Sequence, residues 1–168
     1  MHKGGMSSYG KMHNTLEPVL KQASKSGDSY VTTMVDFYAL PTSTPGYTEA
    51  MKYSNAYDKV NQLENSILQE EGYDRYFKPY IQLHEFEALL FADIDKLTTE
   101  YFDCNIDNLR EVLISQPNPE LINNGFDTAP SKRILKAIPT YDKTVAGIEI
   151  LRRIGLSKIR EKCKHFND

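Results

Sequence analysis

The sequence of 168 residues contains no tryptophan and only two cysteines, Cys104 and Cys163. Two thiols so far apart are too few for a disulfide framework or a cysteine zinc site. Both read as ordinary residues, even with His165 close to Cys163, and they suit a reducing cytoplasm. No stretch approaches the roughly 18 consecutive apolar residues that a membrane-spanning helix needs, so no membrane association is expected. The opening residues Met1-His2-Lys3-Gly4-Gly5-Met6 lack the apolar stretch of a secretory signal. There is no internal repeat and no low-complexity tract. What remains is 40% apolar and 26% charged, an ordinary composition for one soluble globular domain of this length.

The formal charge of −3 is unevenly distributed. Residues 131–168 carry ten bases and four acids, a net +6, which leaves −9 for the rest of the chain. A basic end on an acidic body is compatible with nucleic-acid contact by the first and metal binding by the second, or with no more than a solvated helical face.

Along the chain, Met12, Leu16, Val19, Leu20 and Ala23 recur at helical spacing between about Ser7 and Ser26, interrupted by Pro18. Tyr30-Val31-Thr32-Thr33-Met34-Val35-Asp36-Phe37-Tyr38 is the best strand, and its largely unbroken apolar character predicts burial on both faces. A long amphipathic helix is predicted from about Tyr47 to Glu71, stopped at Gly72. A second strand spans Tyr80 to Phe86, and Ala88-Leu89-Leu90-Phe91-Ala92 leaves it as a short buried helical turn. The remainder, 94–168, reads as the helical C-terminal portion of the same domain. Its short helices are separated by loops such as Gln116-Pro117-Asn118-Pro119 and Asn123-Asn124-Gly125-Phe126-Asp127.

Strand, long helix, strand is a βαβ unit, which makes the two strands parallel. The expected fold class is therefore α/β: a small, mainly parallel sheet flanked by helices. Ligands of open parallel sheets bind at the carboxyl ends of the strands. Asp36 lies near that end of the first strand, and Glu85 and Glu87 at that end of the second. Three clustered carboxylates call for a positive partner, and Mg²⁺ or Mn²⁺ is the usual one in phosphodiester chemistry. The bland alternative is that Asp36 caps a turn and the glutamates are solvated. His84 stands as a candidate general base or ligand, or as a hydrogen-bonded core residue. Asp93 is a weaker fourth acid or an N-cap. Lys132 and Arg133 follow Ala129-Pro130-Ser131, a helix start suited to phosphate or simply exposed; Lys143 repeats the pattern after Pro139.

Several blocks carry a resemblance over essentially the whole chain. They are Val31-Thr32-Thr33-Met34-Val35-Asp36-Phe37-Tyr38-Ala39-Leu40-Pro41, Pro45-Gly46, His84-Glu85-Phe86-Glu87-Ala88-Leu89-Leu90-Phe91, Ala129-Pro130-Ser131-Lys132-Arg133-Ile134, Pro139-x-Tyr141-Asp142-Lys143 and Cys163-x-His165-Phe166. In this order they resemble a bacterial Toprim-like family catalogued as a domain of unknown function. The resemblance implies a Rossmann-like Toprim fold, related to topoisomerases, primases and overcoming-lysogenization-type nucleases, which use a glutamate and an Asp-x-Asp pair to bind Mg²⁺. By position, Asp36 matches the first aspartate, Tyr38 stands where the second would be, and Glu85 and Glu87 match the later acidic pair. The family's glutamate would lie in an N-terminal βα unit upstream of Gly4-Gly5-Met6, so the chain is expected to be N-terminally truncated, with an exposed sheet edge that a homodimer or a partner would cover.

Three readings follow. The first is an Mg²⁺-dependent nuclease or nuclease-related domain acting on DNA or RNA in a phage-defence or mobile-element setting, with an ATPase partner implied by the resemblance. Asp36, Glu85 and Glu87 would hold the metal, His84 would assist, and Lys132, Arg133 and Lys143 would contact phosphate. The second is a non-catalytic module with an incomplete acidic site that binds nucleic acid or protein. A third is a fragment whose function needs the upstream unit.

Overall fold

In the computed structural model, which describes residues 8–122, 125 and 127–168, the chain divides into two units, Met1–Gln82 and Leu83–Asp168. The opening segment inspected for a secretory signal, together with Asn123, Asn124 and Phe126 of the asparagine-rich loop, lies outside the described residues.

The first unit is built on a βαβ arrangement. Helix α1 (Tyr9–Ser26) is started by Ser8, whose hydroxyl accepts from the Lys11 N–H, and is closed by Gly27 in the left-handed region; it accommodates Pro18 internally. Two strands follow, β1 (Val31–Thr32) and β2 (Val35–Asp36), then a single 3₁₀ turn over Phe37–Ala39. Helix α2 (Tyr47–Ala50) is separate from α3 (Ala56–Glu71), so the single long helix expected from periodicity is broken. Asn55 caps α3 through the Tyr57 N–H, and Gly72 ends it at φ +71°.

Strands β3 (Phe77–Lys78) and β4 (Ile81–Gln82) complete the pattern. β1 pairs with β3 and β2 with β4, both parallel, as a βαβ crossover requires. The fold is α/β, with parallel strands and flanking helices.

Each strand is short for a local reason. Pro79 sits between β3 and β4 and has no N–H to give to the ladder. Across the gap the Thr33 hydroxyl accepts from the Tyr80 N–H at 3.0 Å and donates to the Tyr80 carbonyl at 3.1 Å. One side chain thereby stands in for a missing rung. From the helix side, Glu64 accepts the Ile81 N–H at 2.7 Å.

The expectation that the 30–38 strand is buried on both faces is corrected. Tyr30, Thr32 and Met34 are exposed while Val31, Thr33 and Val35 are partly buried, the period-2 alternation of a strand with one wet face. The apolar interior of this unit comes instead from Leu20, Val60, Leu63, Ile67, Phe77 and Ile81, all nearly inaccessible.

The second unit has no strand among the described residues. It begins with a 3₁₀ run, Phe86–Thr99, kinked at Asp93, whose φ of −152° and ψ of 82° are not helical. Ala88, Leu89, Leu90, Phe91 and Ala92 are buried within it, as the apolar run predicted. Helices α4 (Asp107–Ser115), α5 (Pro130–Ala137), α6 (Ala146–Ile154), α7 (Leu156–Lys162) and α8 (Lys164–Asn167) pack around this apolar peptide. Ile106, Leu109, Ile122, Ile134, Ile150 and Cys163 share its core. Among the described residues no helix is long and apolar enough to cross a membrane.

Two glycines of the first unit give a paired prediction. Gly27 and Gly46 both have φ near +73°, at 74° and 72°. A Cβ at Gly27 would meet nothing within 4 Å, whereas one at Gly46 would lie 2.1 Å from Ser66 Oγ and 2.6 Å from its Cβ. Gly27→Ala is expected to lose only the left-handed penalty of about 1–2 kcal/mol. Gly46→Ala adds overpacking of about 1–3 kcal/mol more. Urea unfolding midpoints of the two variants check this, and equal losses would contradict the steric argument.

Candidate functional site

A polar cluster of the second unit forms where the chain passes from Leu83 into the 3₁₀ run. His84 takes φ +62°, and among the described residues it alone combines a side chain with a left-handed backbone. This conformation turns the chain sharply before Glu85, which is extended at φ −140°. Non-glycine residues with positive φ concentrate at functional and strained positions. His84 Nδ1 is buried without a hydrogen-bond partner among the described residues. Burial holds the imidazole below its ordinary pKa, against the opposing charge of Glu85, so it is neutral at neutral pH.

Both glutamates are spoken for. Glu85 Oε2 accepts the Ser131 N–H at 2.9 Å, and its Oε1 accepts the Ser131 hydroxyl at 3.0 Å. An anion at the start of α5 is favoured by the unpaired N–H groups and the helix dipole. The anion there is the chain's own carboxylate.

Glu87 is only 1% exposed and accepts from Lys143 Nζ at 3.0 Å. Its carboxyl is raised by burial, with Lys143 pulling in the opposite direction. Lys143 also lies 5.5 Å from the centre of the Phe86 ring, while its side chain stays 47% exposed. A half-wet ammonium fixed by a buried carboxylate and an aromatic face is an organised cation, suited to an incoming anion.

Tyr141 completes the cluster. Its hydroxyl is buried without a hydrogen-bond partner among the described residues. Burial, then the charge of Glu87, pushes it well above the usual phenol range. Gly147 allows this ring to sit where it does, because a Cβ there would lie 2.7 Å from the Tyr141 oxygen. Asp142 is a turn residue, accepting from Thr144 and Val145 ahead of α6.

The other predicted positions divide as follows. Lys132 is exposed on α5, and Arg133 Nε donates to the Thr128 carbonyl at 2.6 Å. Asp36 belongs to the first unit, at the end of β2, and is half-buried. Asp93 makes the kink in the 3₁₀ run, with Lys96 Nζ 3.9 Å away.

Among the described residues, no group of three or more His, Cys, Asp or Glu side chains is arranged to hold a metal ion. The donors at Glu85 and Glu87 do not fit a divalent cation as they stand. Ser131 takes both oxygens of one, and an ammonium occupies the other.

With this geometry in place, a family model for a domain of unknown function, DUF4276, matches residues 1–168. The chain belongs to the DUF4276 family. No curated protein and no solved structure matches it.

Two polar anchors of this DUF4276 chain escaped the sequence reading. In the first unit, Glu71 accepts from the Tyr9 hydroxyl at 2.6 Å and pairs with His13 Nδ1 at 3.0 Å. That hydrogen bond, and the charge of Glu71, raise the imidazole. In the second, fully buried Glu120 accepts the N–H groups of His165 and Phe166, each at 2.9 Å. The four-residue spacing of Tyr9 and His13 on α1 was a detectable signal. Nothing local marks Glu120.

Removing Lys143 isolates the Glu87 carboxylate. The folded-state pKa of Glu87 lies above its unfolded value of about 4.3. Its contribution therefore favours the fold when protonated and is lost as pH rises through that window. Lys143→Ala is expected to cost about 1–3 kcal/mol near neutral pH and distinctly less below about pH 4. Glu87→Gln added to it should recover most of the loss. Urea unfolding at the two pH values measures both effects, and a pH-independent loss would show that the pair is not electrostatic.

Proposed function

We propose that this domain binds the phosphate backbone of nucleic acid, as a module whose acidic residues serve the fold. The observation that carries the reading is the composition of α5. Its eight residues contain Lys132, Arg133 and Lys136 and no acid. Arg133 and Lys136 border a cleft of about 590 Å³ that also presents Asn108, Ser115 and Thr128, with Glu111 and Asp127 as its acids. Lysines and arginines beside hydroxyl and amide donors are the usual equipment for phosphate oxygens. Lys143, anchored by Glu87, adds a further fixed cation to the second unit.

The rest of the basic tail contributes less than its count implies, since Arg152, Arg153, Lys158 and Lys162 are paired with Glu149, Glu100 and Glu161. The double variant Lys132→Ala/Lys136→Ala is expected to weaken binding of a fluorescent DNA duplex. It should also reduce the slope of log affinity against log salt by roughly 2, one for each lost phosphate contact. Fluorescence anisotropy across a salt series reads both quantities. Unchanged affinity and slope would remove α5 from the interface.

A second reading, Mg²⁺- or Mn²⁺-dependent phosphodiester cleavage in the manner of Toprim-like nucleases, is favoured by one observation. The left-handed backbone and unpaired buried Nδ1 of His84 lie directly before Glu85. Under it, cleavage of DNA or RNA appears with metal and is abolished by Glu85→Gln or Asp36→Asn. Cleavage that survives in both variants would sink this reading, and no cleavage in the wild type leaves the binding module.

A further inference from the structure

The outward face of the β1–β3 pair has a composition that the fold does not need. Tyr30 precedes β1 and is 81% exposed, although a tyrosine ring is among the largest apolar surfaces a chain can leave in water. A single exposed aromatic is ordinary by itself. Here it lines a depression of about 250 Å³ together with Thr32, Asp74, Arg75 and Lys78.

The register explains why these side chains meet. Thr32 is opposite Lys78, and the Val31 N–H donates to the Tyr76 carbonyl, so Tyr30 and Thr32 share the wet face with Lys78. The Arg75 guanidinium lies over the Tyr76 ring, 5.4 Å from its centre, a cation–π contact. The depression is thus lined by Tyr30, Phe77 and two cations, with Asp74 as its one carboxylate.

That set matches one ligand chemistry. A flat exposed ring receives a planar base by stacking, flanking cations receive phosphate, and a carboxylate can accept from an exocyclic amine. The volume lies below the roughly 300 Å³ at which small-molecule clefts begin, which suits one planar group and not a whole cofactor. Past β1, Met34 is 50% exposed and Tyr38 57%. Stacking needs an unpaired base. Duplex DNA offers none, so a stacking site would distinguish single strands from duplex.

We propose that Tyr30, Arg75 and Lys78 form a stacking site for an unpaired nucleobase and its phosphate, giving this domain a preference for single-stranded nucleic acid. The proposal rests on the nucleic-acid reading above and deepens it. Because stacking is indifferent to sugar, oligo(dT) and oligo(U) serve as the two probes, with a duplex as control.

Using the full chain and fluorescence anisotropy, Tyr30→Ala is expected to weaken both single-stranded probes about 5- to 150-fold, the range for loss of one stacked base. Duplex binding should change less than about twofold, and Tyr30→Phe should restore single-strand affinity. Since the sequence contains no tryptophan, Tyr30→Trp gives a single fluorophore whose emission an oligonucleotide stacked on it should quench. Tyr30 is exposed, so circular dichroism is expected to show each variant folded.

Single-strand affinity unchanged in Tyr30→Ala, with loss only in Lys132→Ala/Lys136→Ala, would overturn the stacking site and leave the phosphate-binding reading intact. Equal loss for duplex and single strands would overturn the strand preference. Failure of the wild type to bind any of the three probes would overturn both.

Discussion

A carboxylate taken out of water must find donors inside the protein, and the fold of this chain is organised around four that do. Glu71, Glu85, Glu87 and Glu120 are all buried. Their donors come from far along the chain: Tyr9 and His13, Ser131, Lys143, and the backbone of His165 and Phe166. Leaving one such group unsatisfied costs about 1–3 kcal/mol or more, a large part of a small protein's total stability. Each pair therefore fixes where a distant segment comes to rest. Glu71 fixes the start of α1, Glu85 the start of α5, Glu87 the turn before α6, and Glu120 the last helix.

The same demand explains why the acids resemble a metal site in the sequence and behave differently in the structure. Two glutamates at a strand end, two residues apart, have the spacing of ligands. Here Glu85 is extended just before the 3₁₀ run and Glu87 lies within its first turn, so the two side chains reach different partners. One carboxylate goes to a helix start and the other to an ammonium. The surface that this leaves is defined by cations: the acid-free α5 and the tethered Lys143. The glutamates meet internal donors, while Lys132 and Lys136 of α5 are exposed.

What the sequence discloses follows the range of the interactions involved. The βαβ pattern, the stop at Gly72 and the buried run at Ala88–Ala92 rest on periodicity and local conformational preference, and all three appear in the fold. The division of the strands does not, because Pro79 opens a gap that Thr33 closes from 47 residues away. The exposed side of β1 is not legible in the sequence for a related reason. Tyr30 and Met34 are apolar by type, and composition cannot show that they face water in a ribbon only two strands wide. The glutamate anchors were hidden by sequence separation, 58 residues for His13 and Glu71 and 45 for Glu120 and His165.

Cys163 has a consequence for how the C-terminal helices can be observed. It is fully inaccessible, and burial, followed by the charge of Glu120, pushes its thiol up to about 12. Only a thiolate attacks a disulfide or an alkylating reagent, so in the closed protein this sulfur is chemically silent. Cys104 is only partly buried. The two thiols therefore act as a clock with two hands: reagent reaches Cys104 at the pace of local fluctuation and Cys163 only when α7 and α8 come away from the core. The lag between them times the opening of the segment that Glu120 holds shut.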